Sequence, residues 1–404
     1  MVTPTRAALL VGYKAGSDVA GRLAVFAILV LAARGLTLAD FGLLSIATTI
    51  GWLGSTCSDF GLQLHLSRGV SRSPTQAGAQ FWPLLRFRLA TGAAAIALAT
   101  LVCLVITPQA WAACALVAAA PILTSIGEFV YYGFRALDRS DVESTLLLAQ
   151  RLAALGLAVL ATALMPSLWT FGAALAVPAG AATLIALRLA TRMMPVPPGP
   201  VRSALTLASW RQHVAPIGIG LVLSVVYFRV DVFFLERWTT LETVAKYSAV
   251  FRIVDGMRLL PAAVIAVALP RILGARDSAF TGRLSLGLFV SGGAVAAIVL
   301  FLASPIVLVA YGPQYETAVP IFKVLLLSTP LLAVNLALTH QLIGWHRQAA
   351  YAWTCASALV ANLALNAWLI PAAGGIGAAW ATLGTELVVT AGCLVGLYRT
   401  QTSR

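Results

Sequence analysis

Long apolar stretches follow one another along nearly the whole chain, and each is long enough to cross a lipid bilayer. A membrane-spanning helix needs about 20 mostly apolar residues, and we identify twelve such stretches. Their predicted bounds are 12–34, 41–65, 84–106, 109–133, 145–165, 168–190, 210–234, 244–269, 284–309, 319–342, 349–370 and 375–397. The pattern predicts an all-α polytopic membrane protein with twelve transmembrane helices.

The composition supports a chain that is solvated by lipid. Apolar residues make up 60% of the 404 residues and charged residues only 10%, against about 45–50% and about 25% in an average soluble domain. A soluble fold of this length could not cover so much apolar surface. The composition therefore argues against a soluble enzyme, a nucleic-acid-binding domain and a disordered chain. We expect no cleavable signal, because the first apolar run continues past Asp18 and Arg22 without an Ala-x-Ala site.

The chain is predicted to consist of two similar halves. The pattern P-x5-G-A-A-x-A occurs at 166–176 and again at 371–381, and Pro108-Gln109 recurs at Pro313-Gln314, both at an offset of 205. We predict an N-terminal six-helix lobe at 1–192, a cytoplasmic Pro-rich linker at 193–209 and a C-terminal six-helix lobe at 210–404. Because each half has an even number of spans, the two lobes have parallel topology, with a central cavity between them.

The net charge of +13 is explained by membrane topology. With the N-terminus inside, nineteen Lys and Arg residues fall in the predicted inner segments and only three in the outer ones. Basic residues collect in cytoplasmic loops of membrane proteins. The bias predicts that both termini are cytoplasmic, and it removes the need for a nucleic-acid partner.

Five of the 27 basic residues are assigned to neither side of the membrane and lie within predicted spans. They are the most informative feature of the sequence: Arg22, Arg229, Arg252, Arg258 and Lys323. A charge near the centre of a bilayer costs several kcal/mol and usually faces a bundle interior or a wet cavity. Asp18 and Arg22 are four residues apart and share a helix face. Arg252, Asp255 and Arg258 are spaced by three and form a second face.

The excess of arginine over aspartate on these two faces predicts an anionic solute. Arginine suits phosphate because its planar fork bonds two oxygens at once. We assign substrate binding to the five basic residues, and charge pairing or ion coupling to Asp18, Asp255, Asp231 and Glu386. An alternative is that each arginine only pairs with its neighbouring aspartate and locks the helices. Asn362 and Asn366, four residues apart, are interpreted as contacts between helices.

Nothing in the sequence indicates catalysis. The motifs of serine hydrolases, P-loop nucleotide hydrolases and zinc metalloproteases are absent from the sequence, so we predict that the chain is not an enzyme. The five cysteines fall in apolar stretches without metal-ligand spacing, and we interpret them as small buried hydrophobes. They are Cys57, Cys103, Cys114, Cys355 and Cys393. We predict no disulfide, no metal and no cofactor.

Several segments resemble the polysaccharide-repeat (O-antigen and capsule) flippases of the multidrug/oligosaccharidyl-lipid/polysaccharide exporter superfamily. The segments are A-A-R-G-L-T-L-A-D-F-G-L-L-S at 32–45, R-A-L-D-R-S at 135–140, R-V-D-V-F-F-L at 229–235, Y-G-P-Q-Y-E-T-A at 311–318 and N-L-A-L-N-A-W-L-I-P-A-A-G-G-I-G-A-A-W-A-T-L-G-T-E at 362–386. The resemblance implies two six-helix lobes, alternating access and a cationic cavity for a sugar-linked undecaprenyl pyrophosphate. Related lipid II flippases place arginines on their first and eighth helices, which here corresponds to Arg22, Arg252 and Arg258.

Together these features predict a multi-pass flippase of the bacterial inner membrane that moves a lipid-linked oligosaccharide for surface polysaccharide synthesis. The expected partners are that anionic lipid, membrane lipid, a proton or sodium ion for coupling, and polysaccharide-assembly proteins, with no nucleic acid.

Two other functions remain open. One is an ion-coupled drug or small-molecule exporter of the same superfamily, which would need an acidic or aromatic cavity. The other is a membrane glycosyltransferase or polymerase, which would need acidic residues beside a large aqueous loop. A scaffold that transports nothing would tolerate loss of the buried charges.

Overall fold

A computed structural model describes residues 4–195, 214–274, 278–345 and 347–398. Over these residues the chain is helical, with short turns and no β-strand. It divides into two compact units, Met1–Val222 and Leu223–Arg404. Most of the predicted linker at 193–209 and the two chain ends lie outside the described residues, so the lobe boundaries and the position of the termini stay predictions.

The N-terminal unit is built mainly from long, unbroken helices. Its helices are α1 (Pro4–Gly35), α2 (Leu38–Asp59), α3 (Leu62–Arg72), α4 (Ala77–Ile106), α5 (Trp111–Ala136), α6 (Ser140–Leu164) and α7 (Leu168–Met193). Helix α5 packs against α2, α4 and α7, while α1 packs against α6. Helix α5 is correspondingly rich in buried side chains, among them Phe129, Val130 and Phe134.

Helix α3 corrects the predicted second span of 41–65. The span ends at Asp59 because Phe60 and Gly61 both adopt left-handed backbone conformations, with φ of 45° and 84°. The chain then starts a separate amphipathic helix whose Leu62, Leu66 and Val70 are buried. Hydropathy alone does not reveal this break, because both segments are apolar on one side.

The C-terminal unit is built from helices that are interrupted within the predicted spans. Its helices are α8 (Ala215–Arg229), which crosses the unit boundary, α9 (Asp231–Trp238), α10 (Leu241–Met257), α11 (Leu259–Gly274), α12 (Ser278–Phe301), α13 (Ala303–Tyr311), α14 (Val319–Leu326), α15 (Thr329–Gly344) and α16 (Gln348–Tyr398). A short 3-10 helix, Pro313–Ala318, precedes α14. Helices α12, α15 and α16 pack in sequence, and α9 and α14 pack against α16.

Helix α16 contains both of the last two predicted spans. Gly374, at φ 55° and ψ −129°, kinks it three residues after Pro371. Only glycine adopts this conformation readily, since a side chain would strain the backbone. The kink falls between the predicted spans 349–370 and 375–397, and the two halves of α16 are treated below as separate helices.

The described helices include nine that are long and apolar enough to cross a membrane, or ten if the pair bent by 45° around residues 327–328 is one span. Helix α16, with both of its halves, is counted once among these nine. The predicted span 244–269 is missing from this count, because it is divided at Arg258 into α10 and α11, each too short to cross a bilayer as one helix. Val267 and Phe301 are 84% and 87% exposed, as expected for side chains that face lipid. The all-α multi-pass prediction is confirmed, while the count of twelve stays a prediction.

The cysteines are free thiols. Four of them are buried as predicted, but Cys57 is exposed. The interpretation of Cys57 as a buried hydrophobe is therefore wrong. Its side chain lies on a face of α2 that the neighbouring helices leave uncovered.

Candidate functional site

Two of the arginines selected from the sequence lie over one pair of phenylalanine rings in the C-terminal unit, and the charge of a third interacts with one of them. The guanidinium of Arg229 lies 4.6 Å from the centre of the Phe251 ring, and that of Arg258 lies 4.7 Å from the centre of the Phe228 ring. The two rings meet edge to face with their centroids 5.2 Å apart. Arg252 follows Phe251, and its charge interacts with that of Arg229. Arg229, Arg252 and Arg258 are called the arginine cluster below.

Within the arginine cluster, Arg258 forms only a weak ion pair with the carboxylate beside it. Arg258 Nη1 lies 3.4 Å from Asp255 Oδ1, and the two side chains are 33% and 42% exposed. A pair this exposed contributes at most about 1 kcal/mol to stability. Arg252 Nε is buried and has no hydrogen-bond partner among the described residues. The arginine cluster therefore keeps N–H donors that an anion can use.

Asp231 lies at the start of α9 and has a tyrosine as its direct partner. The Tyr247 hydroxyl donates a hydrogen bond to Asp231 Oδ2, and the Val232 amide donates one to Asp231 Oδ1 over 2.8 Å. Tyr247 Oη also lies 3.2 Å from Thr382 Oγ1 in the second half of α16. The carboxylate thus links α9, α10 and α16, and the charge of Arg229 acts on it as well.

Glu386 is 2% exposed and lies in a network of neutral side chains. Asn335 Nδ2 on α15 donates to Glu386 Oε2 over 2.8 Å. Thr390 Oγ1 donates to Asn335 Oδ1 over 2.7 Å. The charge of Arg258 acts on the Glu386 carboxyl. The sequence identified Glu386 but not Asn335, although an amide inside the apolar span 319–342 was a usable signal.

The two asparagines selected from the sequence are buried in α16 and form hydrogen bonds. Asn362 Nδ2 in the first half of α16 donates to Thr385 Oγ1 in the second half over 3.0 Å. Asn366 Nδ2 donates to Asn362 Oδ1 over 2.8 Å. The bond from Asn362 joins the two halves across the kink, as expected for a contact between helices, whereas the bond from Asn366 stays within the first half.

In the N-terminal unit, Asp18 and Arg22 are joined by a third charged residue that the sequence analysis did not select. Arg22 is exposed and Asp18 is half-buried. Arg151 of α6 lies across α1 at Gly21, where an added Cβ would be 2.5 Å from Arg151 Nη1. The charge of Arg151 interacts with Asp18, Arg22 and Glu128. The charge count on α1 alone was therefore incomplete, because α6 adds a cation beside it.

A polar cavity of about 290 Å³ lies beside Asp18 within the N-terminal unit. It is called the N-unit cavity below, and its lining residues are Lys14 and Asp18 of α1, Gln63 of α3, Glu128, Tyr131, Tyr132 and Arg135 of α5, and Glu143 and Leu147 of α6. Within α1, α5 and α6 these residues recur every three or four positions, so each of those helices presents one face to the cavity.

Glu143 holds one wall of the N-unit cavity together. Lys14 Nζ donates to Glu143 Oε1 over 2.9 Å, Arg135 Nε donates to Glu143 Oε2 over 2.9 Å, and Arg135 Nη2 also pairs with this carboxylate. Glu143 is only 5% exposed, and two cations compensate its buried charge. The pairs tie α1 and α5 to α6.

Arg88, one of the nineteen basic residues counted toward the inner segments, is a buried charge within α4 and does not lie in a loop. Its side chain is fully buried in α4, with Nη1 donating to Ser58 Oγ over 3.0 Å and Nη2 to Ser125 Oγ over 2.9 Å. Its Nε lies 3.8 Å from Asp59 Oδ1. The signal was present, since Arg88 falls within the predicted span 84–106.

The structure thus brings the selected residues together in part. Within the C-terminal unit Asp255 pairs with Arg258 of the arginine cluster. Asp231 and Glu386 lie close enough for their carboxyls to interact with the charges of Arg229 and Arg258. Within the N-terminal unit the structure joins Asp18 and Arg22 with Arg151. Lys323 is exposed on α14, and its assignment to substrate binding stays a prediction.

The fold is shared with solved transporters of one superfamily. A structure of the lipid II flippase MurJ in an inward closed conformation aligns over 96% of this chain and 87% of its own, with 12% identity and a TM-score of 0.70. An inward-facing multidrug resistance MATE family transporter of the MOP superfamily aligns over 95% of both chains, with 12% identity and a TM-score of 0.69. A MOP superfamily transporter from Pyrococcus furiosus aligns over 98% of this chain and 94% of its own, with 13% identity and a TM-score of 0.62.

These similarities define a multi-pass membrane protein with the fold of flippases and transporters. The chain belongs to the polysaccharide biosynthesis protein family, which matches residues 11–274. The resemblance to the flippases of this superfamily is therefore confirmed. No curated protein sequence matches the chain. The family and the structural neighbours are flippases and transporters, which agrees with the prediction that the chain is not an enzyme.

Proposed function

We propose that the chain is a flippase of the bacterial inner membrane that moves an oligosaccharide linked to undecaprenyl pyrophosphate, by alternating access, for synthesis of O-antigen or capsule. The observation that carries the proposal is the family match over residues 11–274, which includes Arg22 and the whole arginine cluster. A polysaccharide-synthesis protein with a flippase fold needs a means of carrying a charged lipid head group through the membrane. Both termini are cytoplasmic in this proposal.

The arginine cluster and Arg22 hold the pyrophosphate in this proposal. Guanidinium groups form paired hydrogen bonds with phosphate oxygens, and Arg252 Nε is a buried donor that such an oxygen satisfies. Phe228 and Phe251 fix the guanidinium planes of Arg258 and Arg229 from one side. Lys323 is a further cation for the approaching head group.

Carboxylates release and recapture these arginines as the substrate enters and leaves. The Arg258–Asp255 pair is long and half-exposed, so a phosphate oxygen can displace the carboxylate at little cost. Asp18 has the same role for Arg22, from which it is separated by one helical turn. Asp231 and Glu386 are the carboxyls for the coupling ion, a proton or sodium, because both are buried.

The similarity to a MATE family transporter at a TM-score of 0.69 favours a drug exporter as the second candidate function. Such an exporter for organic cations would need acidic groups at its binding site. The arginine cluster has the opposite charge, and this favours an anionic substrate.

The first test replaces single arginines in cells that depend on this chain for surface polysaccharide. We expect Arg252→Ala, Arg258→Ala and Arg22→Ala each to reduce export at least tenfold at matched protein level, because each removes a guanidinium from the phosphate. Arg139→Ala is the matched control, since Arg139 forms an exposed pair with Asp141 over 2.9 Å. Wild-type export in all three variants would contradict the proposed function.

A further inference from the structure

The N-unit cavity has no role in the phosphate contacts just described. We propose that it binds the sugar ring attached directly to the pyrophosphate of the carrier lipid. This inference rests on the proposed function and assigns the part of the substrate that the arginines do not hold.

The lining has the mixed polarity that a neutral polyol requires. A sugar ring presents hydroxyls that both donate and accept hydrogen bonds. The wall offers carboxylate acceptors at Asp18 and Glu128, and cationic donors at Lys14 and Arg135. Tyrosine and glutamine side chains add groups that do both. A purely anionic or purely apolar ligand would leave half of these groups without partners.

One buried group in the wall lacks a partner in the described part of the chain. Tyr131 is 2% exposed and lines the cavity, and its hydroxyl has no hydrogen-bond partner there. A buried hydroxyl without a partner is costly. A sugar hydroxyl inside the cavity would satisfy it.

The position of the cavity matches the chemistry of the substrate. Asp18 lines the cavity, and Arg22 follows it by four residues on the same helix, about 6 Å along the axis at 1.5 Å per residue. A phosphate at Arg22 therefore places the first sugar beside Asp18. The volume of about 290 Å³ lies just below the range of ligand pockets, about 300 to 1,000 Å³, so it suits a single sugar ring.

A bare metal ion fits the cavity less well. Among the described residues no three Asp, Glu, His or Cys side chains are placed to hold a metal ion. Glu143, the third carboxylate in the wall, is already bound by Lys14 and Arg135. These two cations also repel a metal ion that enters.

The test compares two probes on the purified full chain in detergent, with binding measured by native mass spectrometry. One probe is the undecaprenyl pyrophosphate-linked repeat unit extracted from the bacterium that encodes the chain. The other is undecaprenyl pyrophosphate without sugar. The proposal predicts that Tyr131→Phe weakens binding of the glycosylated probe about 3- to 10-fold, the worth of one hydrogen bond, and leaves the bare probe unchanged.

The matched control is Tyr13→Phe, which removes a tyrosine hydroxyl that bonds Thr145 Oγ1 over 2.9 Å outside the cavity. We expect it to bind both probes as the wild type does. Tyr131→Phe removes a hydroxyl that has no described partner, so a purely structural role predicts no loss of binding. Thermal melting of each variant confirms that the fold is retained.

A second pair of variants separates a sugar from a cation. Glu128→Leu removes a hydrogen-bond acceptor, and we expect it to weaken binding of the glycosylated probe at least tenfold. Glu128→Gln keeps a hydrogen-bonding side chain, so its loss of binding should be smaller. If both variants lose the same amount of binding for both probes, and this loss changes with sodium concentration or pH, the cavity binds a cation. That result overturns the proposal. Unchanged binding in Tyr131→Phe and Glu128→Leu overturns it as well. If the wild type binds neither probe, the proposed function itself fails.

Discussion

The two units of this chain stabilise charged groups within apolar helices in different ways. The N-terminal unit uses long unbroken helices and pairs a buried carboxylate with cations, as Glu143 shows with Lys14 and Arg135. The C-terminal unit uses broken helices, places arginines on phenylalanine rings and holds Glu386 with a neutral amide.

Under the proposed function, this difference determines where a phosphate would find its counter-charge. In the N-terminal unit several arginines already interact with protein carboxylates, and Arg88 is fully enclosed. In the C-terminal unit Arg229 lies where α8 gives way to α9, and Arg258 lies where α10 gives way to α11. The ion pair of Arg258 with Asp255 is long and partly exposed. The first arrangement pairs arginines directly with carboxylates, whereas the second leaves the Nε of Arg252 without a hydrogen-bond partner among the described residues.

The largest effect on stability is expected at Arg88 of the N-terminal unit. Arg88→Ala removes the hydrogen bonds to Ser58 and Ser125 and leaves Asp59 without its cation. Breaking a buried pair in this way costs about 3–5 kcal/mol. Arg258→Ala, its counterpart in the C-terminal unit, should cost less than about 1 kcal/mol. Thermal unfolding in detergent measures both, and equal losses would show that the units do not differ in this respect.

The kink in α16 gives a second, intermediate effect. Gly374→Ala places a side chain on a backbone at φ 55° and ψ −129°, which costs about 1–3 kcal/mol of unfolding free energy. Gly256→Ala is the matched control in the same unit, since no atom lies within 4 Å of its added Cβ and its φ is not positive. A Gly374→Ala variant as stable as this control would show that the kink does not require glycine.

The smallest effect is expected at Glu386. Glu386→Gln keeps an oxygen that accepts from Asn335, so its unfolding free energy should change by less than about 1 kcal/mol. This variant tests whether the C-terminal unit needs the charge of the Glu386 carboxylate for folding. A loss of several kcal/mol in denaturant unfolding would mean that it does, and that both units depend on charge compensation.

The sequence predicted the helical multi-pass fold well, because the thickness of the bilayer sets the length of each apolar run. It misplaced the end of α2, since the left-handed residues Phe60 and Gly61 have no hydropathy signal. It also predicted one span across the break at Arg258, which lies three residues before Pro261.

The site was predicted only in part, for a related reason. Asp18, Arg22 and the residues of the arginine cluster are visible as charges inside apolar runs. Their partners come from distant positions, as with Lys14 and Glu143, which are 129 residues apart. No local spacing predicts such pairs, so the N-unit cavity appeared only when α1, α3, α5 and α6 were seen together.

The most direct test of the account is transport by the purified chain in proteoliposomes. Lipid-linked oligosaccharide is placed in both leaflets, and a glycosidase added outside reports the copies that reach the outer leaflet. We predict that wild type and Arg139→Ala expose the inner-leaflet copies, and that Arg252→Ala and Arg258→Ala slow this at least tenfold. The same rate with and without protein, or undiminished transport by both arginine variants, would contradict the account.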